Sequence, residues 1–542
     1  GNIGIGHVRW ATHGLPNSTN AHPHSSQNVS VVHNGIIENH RHLRARLEQK
    51  GYLFSSDTDS EVLAHLFVEA LDAGLSPIET TKSVLAAIEG AYAFAALVRD
   101  HRDMIIVARN ASPLAIGLGD EASFIGSDAI ALAHLTRRVV YLKDNDFAFV
   151  KADGALVFDS DGMPVNREEV IVAASQGLVD KGGYRHYMEK EIHEQPDAIA
   201  HSLAAMTGTD GRIAAPMSRD QLRDITGIVM LAAGTSHYAT QIARYWIESL
   251  ARVPVACEVA SEYHYRQPAT SPFNTSIAVS QSGESLDTLM AMRHAAKCKM
   301  TTIGLVNVPS STIAREADTV LPTRAGPEIG VASTKAFTAQ LSVLACLCLI
   351  AGRERKTINS SNEQKLTEKL LEIPSNMSSV FNLVGQVKKL SKQIVNAKSV
   401  LFLGRGHLFP IAMEGALKLK EISYIHAEGY ASGEMKHGPI ALVDDKVPVI
   451  VLAPKDTLFE KNISNMQEIL ARGGKVILIT DTNGDKEIDD KNLKRLVLKN
   501  LHEFVQPIIF TLPVQLLSYY VGVLKGTDVD QPRNLAKSVT VE

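Results

Sequence analysis

Two kinds of hydrophobic spacing divide the chain. From Ala91 to Val150 short apolar runs (AYAFAALV, MIIVAR, FIGSD, VVYL, FAFV) alternate with turn residues, which predicts an antiparallel sheet region. Ahead of it, Gly4 to Arg9 and Val29 to Val32 predict short strands. Asn39 to Lys50 and Asp59 to Leu71 predict helices, the second opened by a Thr58-Asp59-Ser60-Glu61 capping pattern. From Gly227 onward strands alternate with helices, which predicts a doubly wound parallel sheet. Between these regions, the polar stretch His186 to Ile199 and the apolar-poor stretch Thr207 to Arg219 read as a helix and a loop of a connector.

The strand–helix pattern occurs twice. GIVMLAAGTSHYATQIARYWIESL is matched by SVLFLGRGHLFPIAMEGALKLKEI: an apolar strand, a turn (Gly234-Thr235-Ser236-His237 or Gly404-Arg405-Gly406-His407), then a helix. Later strands follow at similar spacing, SIAVS at 276 with VIVLA at 449, and TTIGLV at 301 with KVILIT at 475. This predicts an internal duplication with its boundary near 375 to 390.

The stretch Ser276 to Leu289 carries the first candidate chemistry. A buried strand ends at Val279, Ser280-Gln281-Ser282-Gly283-Glu284-Ser285 forms a polar turn, and helical spacing begins at Leu286. Free amides and the macrodipole of a helix N-terminus suit a phosphate monoester, serine hydroxyls add donors, and Gly283 lets the backbone approach. The spacing is neither that of a nucleotide P-loop nor the dinucleotide GxGxxG. Taken alone, the loop reads equally as a serine-rich strand–helix turn. The second copy has Ala453-Pro454-Lys455-Asp456 at this place, so one phosphate site per chain is expected, in the first copy.

Composition removes several classes. Net charge is −4 over 542 residues, which implies neither a nucleic-acid footprint nor a membrane-surface patch. The longest apolar run, Leu341 to Ala351, is too short to span a bilayer and reads as a core helix. Four cysteines, at 257, 298, 346 and 348, make neither a disulfide framework nor a zinc pattern and read as core. A cytoplasmic protein without metal or cofactor is expected.

Several strings together carry a family resemblance: HVRWATHG at 7, VVHNGIIEN at 31, SDTDSEV at 56, RHYMEKEI at 185, SQSGES at 280, EIGVASTKAFT at 328, GALKLKEISYIHAE at 415, GEMKHGP at 433 and DVDQPRNLAKSVTVE at 528. Over essentially its whole length the chain resembles the glutamine–fructose-6-phosphate aminotransferases (isomerising). The resemblance implies an N-terminal-nucleophile-type glutaminase domain with antiparallel sheets (1–173), a helical linker (174–218), two duplicated doubly wound α/β sugar-isomerase domains (219–380 and 381–526) and a tail with an active-site lysine (527–542). The implied substrates are fructose 6-phosphate and glutamine, and the implied assembly is a homodimer.

Site roles follow from the same resemblance. Arg9 would pair with the glutamine α-carboxylate, Thr12 and His13 would add hydrogen bonds, and Asp59 would take the α-amino group. Asn34 and Gly35 would form the oxyanion hole, and Trp10 would gate the ammonia passage. Ser236, Ser280, Gln281, Ser282 and Ser285 would hold the sugar phosphate, and Thr235 and Ser333 the sugar hydroxyls. Glu421 would move the proton between C1 and C2, with Lys418 paired to it or assisting. His437 would open the ring, and Lys537 would form an imine with the ketose. From spacing alone, Lys418 and Glu421 read as a solvated helix ion pair and His437 as a loop histidine.

One departure matters. The family's glutaminase nucleophile is an amino-terminal cysteine, whereas this chain opens on Gly1 and its first cysteine is Cys257. The expectation is therefore a truncated glutaminase half that as given does not hydrolyse glutamine, either because the sequence is a fragment of a longer product or because the activity has been lost. A glutamine-independent sugar-phosphate isomerase or deglycase stays open, as does a non-catalytic sugar-phosphate sensor. The absence of a basic recognition segment, and the presence together of Glu421, His437 and Lys537, speak against the sensor.

Overall fold

The computed structural model describes residues 2–9, 12–132, 135–171, 180–208 and 211–539. It divides into two compact units, Gly1–Asp180 with Ser538–Glu542, and Lys181–Lys537.

The first unit holds two antiparallel sheets. The six-stranded one runs β1-β2-β3-β4-β8-β9, from β1 (His24–Ser26), β2 (Val29–Gly35), β3 (Tyr92–Val98), β4 (Met104–Asn110), β8 (Phe147–Lys151) and β9 (Gly154–Phe158). The four-stranded one runs β10-β7-β5-β6, from β10 (Glu169–Ile171), β7 (Arg138–Tyr141), β5 (Ala115–Leu118) and β6 (Ser123–Gly126). Period-two alternation sorts β3 between two cores. Tyr92, Phe94 and Ala96 pack against Leu63 and Phe67 of the Glu61–Asp72 helix, while Ala93 and Ala95 face Ile116 and Val140 of the smaller sheet. Large residues thus meet helices and small ones meet a sheet.

Two local expectations are corrected here. Gly4 to Arg9 is not a strand: Ile5 packs partly against the core, but the segment pairs with neither sheet and Arg9 ends it in a left-handed conformation, at φ +55°. Glu61 does not close a capping box. Its carboxylate accepts the Ser55 and Ser56 amides (2.8 and 2.7 Å) and both serine hydroxyls, so it orders the loop before the helix instead.

The second unit contains two parallel five-stranded sheets. One runs β12-β11-β13-β14-β15, with β11 (Ile228–Ala232), β12 (Val255–Val259), β13 (Thr275–Ser280), β14 (Thr301–Val306) and β15 (Thr319–Pro322). The other runs β17-β16-β18-β19-β20, with β16 (Ser399–Gly404), β17 (His426–Ala431), β18 (Pro448–Leu452), β19 (Lys475–Asp481) and β20 (Lys494–Leu498). Both have the order 2-1-3-4-5, so the duplication extends to topology. The apolar strings named above correspond to β11, β13 and β14 and to β16, β18 and β19. The remaining two strands of each sheet are shorter in apolar signal.

Each copy ends in a long apolar helix, Lys335–Glu354 and Gln506–Lys525. By length and composition both could cross a membrane, which the sequence reading did not foresee, yet 100% and 89% of their apolar windows are buried inside the fold. They join both sheets in one core containing Phe337, Leu344, Phe402 and Phe510. The segment expected as a connector belongs to this core as well, where Met188, Ile192, Ile199 and Leu203 are at most 2% exposed. Residues 172–179 lie outside the described residues. Cys346 and Cys348 are buried, whereas Cys257 and Cys298 are only partly so.

Candidate active site

In an open α/β sheet, ligands sit at the carboxyl ends of the strands where strand order reverses. In the first copy this point lies between β11 and β13. Thr235 and Ser236 follow β11, and Ser280 to Ser285 follow β13. The Ser236 hydroxyl accepts a hydrogen bond from Gln340 Nε2 (3.0 Å). The loop is partly closed on itself: Gly283 N donates to Ser280 Oγ (3.0 Å), Glu284 N to Ser282 Oγ (3.1 Å), and Ser280 and Ser285 hydroxyls lie 3.2 Å apart. The Gly283 and Glu284 amides, ahead of the helix, are thus occupied within the loop. Gly283 is required twice. Its φ is +67°, and a Cβ there would come 2.0 Å from Ser311 Oγ. The Gln281 carbonyl accepts the Asn307 amide (3.1 Å), which ties the turn to the end of β14.

The helix Phe409–Ser423, after β16, carries Lys418 and Glu421. Gly415 lets it lie close to its neighbours, since a Cβ there would meet Phe402 at 2.8 Å and Val514 at 3.1 Å. Lys418 is fully buried, with Nζ 2.5 Å from Glu421 Oε2, so the pair is not a solvated surface bridge. The sequence reading missed Glu414, one turn earlier, 3.6 Å from Lys418 and also fully buried. Its spacing to Lys418 was the available signal. Thr235 of the first copy lies beside the Glu414 carboxyl. None of these contacts is well aligned, so both Glu414 oxygens, Lys418 Nζ and Glu421 Oε2 are buried without a proper hydrogen bond. Burial pushes Glu414 up to about 8. Burial also disfavours the Lys418 ammonium, but the Glu414 and Glu421 carboxyls outweigh it and hold its pKa above the ordinary lysine value.

Lys537 lies elsewhere in the same unit. Its Nζ donates to Glu328 Oε2 (2.5 Å) and to the Gly330 carbonyl (2.8 Å). Ser333 also donates to Glu328 Oε2, at 3.0 Å. Burial would raise Glu328, but the Lys537 ammonium and the Ala336 and Thr334 amides outweigh it and bring its carboxyl down to about 2. The Glu328 charge is felt at Lys418, which links the two clusters electrostatically. His437 is not brought in. It is exposed at the end of the 3₁₀ turn Ser432–His437 and makes no hydrogen bond or ion pair among the described residues.

A second candidate site lies in the first unit. Arg9, Thr12, His13, Asn34, Gly35 and Asp59 all line one cavity of about 20 Å³, together with His22 and His33. Asp59 is buried; its Oδ2 accepts the Ile37 amide (2.8 Å) and its Oδ1 lies 3.6 Å from His13 Nδ1. Asn34 Oδ1 meets His7 Nε2 at 2.7 Å. The Arg9 guanidinium donates to the carbonyls of His13 (2.5 Å), Leu15 (3.0 Å) and Gly14 (3.1 Å) and so holds its own loop. Burial lowers His22 to about 2 and His33 to about 4, leaving neutral rings that can donate or accept. Trp10 lies outside the described residues. Among the described residues, no cluster of His, Cys, Asp and Glu could hold a metal ion.

The SIS domain family matches residues 221–350 and 393–525, and the glutamine amidotransferase domain family matches residues 7–134. Similar relatives are the glutamine–fructose-6-phosphate aminotransferase (isomerizing) of Mesorhizobium japonicum, 52% identical over 100% of this chain and 90% of its own, and that of Bradyrhizobium diazoefficiens, 51% identical with the same coverage. Among solved structures, the C-terminal domain of glucosamine-fructose-6-phosphate aminotransferase from Francisella tularensis is 44% identical, with a TM-score of 0.64, over 65% of this chain and 100% of that one. A glucosamine-6-phosphate deaminase from Thermotoga maritima (21% identical, TM-score 0.53, covering 66% of this chain and 100% of that one) shares the fold. The chain belongs to the glutamine–fructose-6-phosphate aminotransferase (isomerizing) family.

Proposed function

We propose that the chain converts fructose 6-phosphate to glucosamine 6-phosphate with glutamine as the nitrogen source. The observation that carries this reading is the Glu414–Lys418–Glu421 set, with Glu414 and Lys418 buried and Glu421 reaching solvent, in one fold with a serine-rich loop and an amine-bearing tail. An aldose–ketose shift needs a single base that removes a proton from C1 and returns one at C2. Glu421 has the exposure for this, with its side chain 21% accessible, while Lys418 fixes its carboxylate. Lys537 adds to the C2 carbonyl and forms an imine with loss of water. Ser280, Gln281, Ser282, Ser285 and Ser236 take the phosphate, and Thr235 and Ser333 the hydroxyls. Exposed His437 opens the ring, supplied to the site by the second copy of a homodimer.

In the glutaminase unit, Arg9, Thr12, His13 and Asp59 hold glutamine, Asn34 and Gly35 stabilise the oxyanion, and Trp10 gates the ammonia. The alternative is a sugar-phosphate isomerase that takes no nitrogen from glutamine, because the second unit alone holds the serine-rich loop, the Glu414–Lys418–Glu421 set and Lys537. The test is conversion of fructose 6-phosphate to glucose 6-phosphate without glutamine, followed by product analysis with glutamine and with ammonium. Glucosamine 6-phosphate from either nitrogen source supports synthesis. Glucose 6-phosphate alone supports the isomerase. Binding without any turnover would overturn both.

A further inference from the structure

The short helix Tyr187–His193 holds the tail bearing Lys537 at one point and the loop that receives Lys537 at another. At the helix start, Asp530 accepts the Tyr187 and Met188 amides (2.9 and 2.8 Å) with its two carboxyl oxygens, while its carbonyl accepts the Val331 amide (2.9 Å). One turn on, Glu191, 2% exposed, accepts the amides of Ile329 and Gly330, the latter at 3.2 Å. Those residues flank the two groups that hold the Lys537 amine, Glu328 Oε2 and the Gly330 carbonyl. Gly330 is packed so closely that a Cβ there would lie 2.8 Å from Glu191 Oε2. The helix thus braces the tail and the loop against each other.

We propose that Glu191 is a positioning residue, which fixes the Glu328–Gly330 loop and through it the place of the Lys537 amine. The proposal rests on the reading of Lys537 as the imine-forming group. Glu191 touches no reacting atom; it acts through the two amides it accepts. Burial, and then the neighbouring Glu328 charge, raise Glu191 to about 7, in keeping with a carboxyl held for its acceptor oxygens rather than for an ion pair.

The test compares Glu191→Ala with Glu191→Gln in the full chain. Gln keeps an oxygen where Oε1 accepts both amides. For glutamine-independent isomerisation, Glu191→Ala is expected to lower kcat about 30-fold, with fructose 6-phosphate KM changed less than about threefold, because a misplaced group costs rate more than binding. Trapping of the imine on Lys537 with borohydride, read by peptide mass, falls in parallel. Glu191→Gln stays within about threefold of the original kcat. Hydrogen exchange of the peptide spanning Asp530 to Lys537 gives a readout that needs no activity: it accelerates about tenfold in the Ala variant and not in the Gln variant. Unchanged exchange in the Ala variant, or equal losses in both variants, would overturn the positioning role. If the unaltered chain is never trapped at Lys537, the imine reading fails by itself, and the exchange result still decides whether Glu191 holds the tail.

Discussion

The two α/β copies share strand order but not the residues at their strand ends. After β13 the first copy places hydroxyls and a left-handed Gly283; after β18 the second places Pro454 and Lys455, and Lys455 is taken up by Glu460 (2.9 Å) and Glu487 (2.5 Å). Conversely, the helix after β16 carries Glu414, Lys418 and Glu421, whereas the helix after β11 presents Thr240, Gln241 and Arg244 along Gly234–Trp246. The duplication leaves two equivalent crevices with different residues at their mouths. Hydroxyl-bearing residues collect in one copy and the Glu414–Lys418–Glu421 set in the other, with Thr235 beside Glu414.

The largest test of this division is Glu421→Gln. It is expected to lower isomerisation kcat by about a thousandfold while fructose 6-phosphate KM moves little, since a general base contributes two to four orders of magnitude. Steady-state kinetics without glutamine checks it, and unchanged turnover would remove Glu421 as the base. Next, Lys418→Ala opens a fully buried site and leaves the Glu421 carboxylate without its cation. A loss of about 3–5 kcal/mol in urea unfolding of the isomerase unit is expected, against no measurable loss for Lys455→Ala, whose partners are exposed.

Gly283→Ala should act on binding. The strained φ and the contact with Ser311 predict about 2 kcal/mol, roughly thirtyfold in KM for fructose 6-phosphate. Lys455→Ala, at the same place in the other copy, should leave KM within about twofold; equal effects would mean that both crevices bind sugar phosphate. The smallest effect is pH-linked. The folded pKa of Glu414, about 8, stands above its unfolded value of 4.5, so its contribution is fully present below pH 4.5 and is lost as pH rises toward 8. Relative to Glu414→Gln, the unaltered chain should lose roughly 1 kcal/mol between pH 5 and pH 6, read from urea midpoints.

Much of this architecture was legible because it is periodic. Alternation in AYAFAALV marks a strand, and the repeated strand–turn–helix strings mark two copies of one sheet. Where the local signal was weak, the reading slipped. Gly4 to Arg9 has strand-like composition but pairs with no neighbouring strand. The Thr58–Glu61 pattern matches a cap, yet Glu61 turns back to Ser55 and Ser56 because four donors there outbid one. The polar segment after Lys181 looked like a connector because its apolar residues are few, but those few, Met188, Ile192 and Ile199, all point into the core.

By itself the sequence determined the two fold classes, the duplication, the single serine-rich crevice and the Lys418–Glu421 pairing, since each depends on residues close along the chain. Only the tertiary structure decided the convergences: Glu414 with Thr235, Lys537 with Glu328, and Glu191 with Gly330, pairs separated by more than a hundred positions. Such pairs leave no periodicity to read. They exist because the shared core brings both copies and the tail together, and the balance of burial against neighbouring charges and amides then sets which of those carboxyls hold their protons.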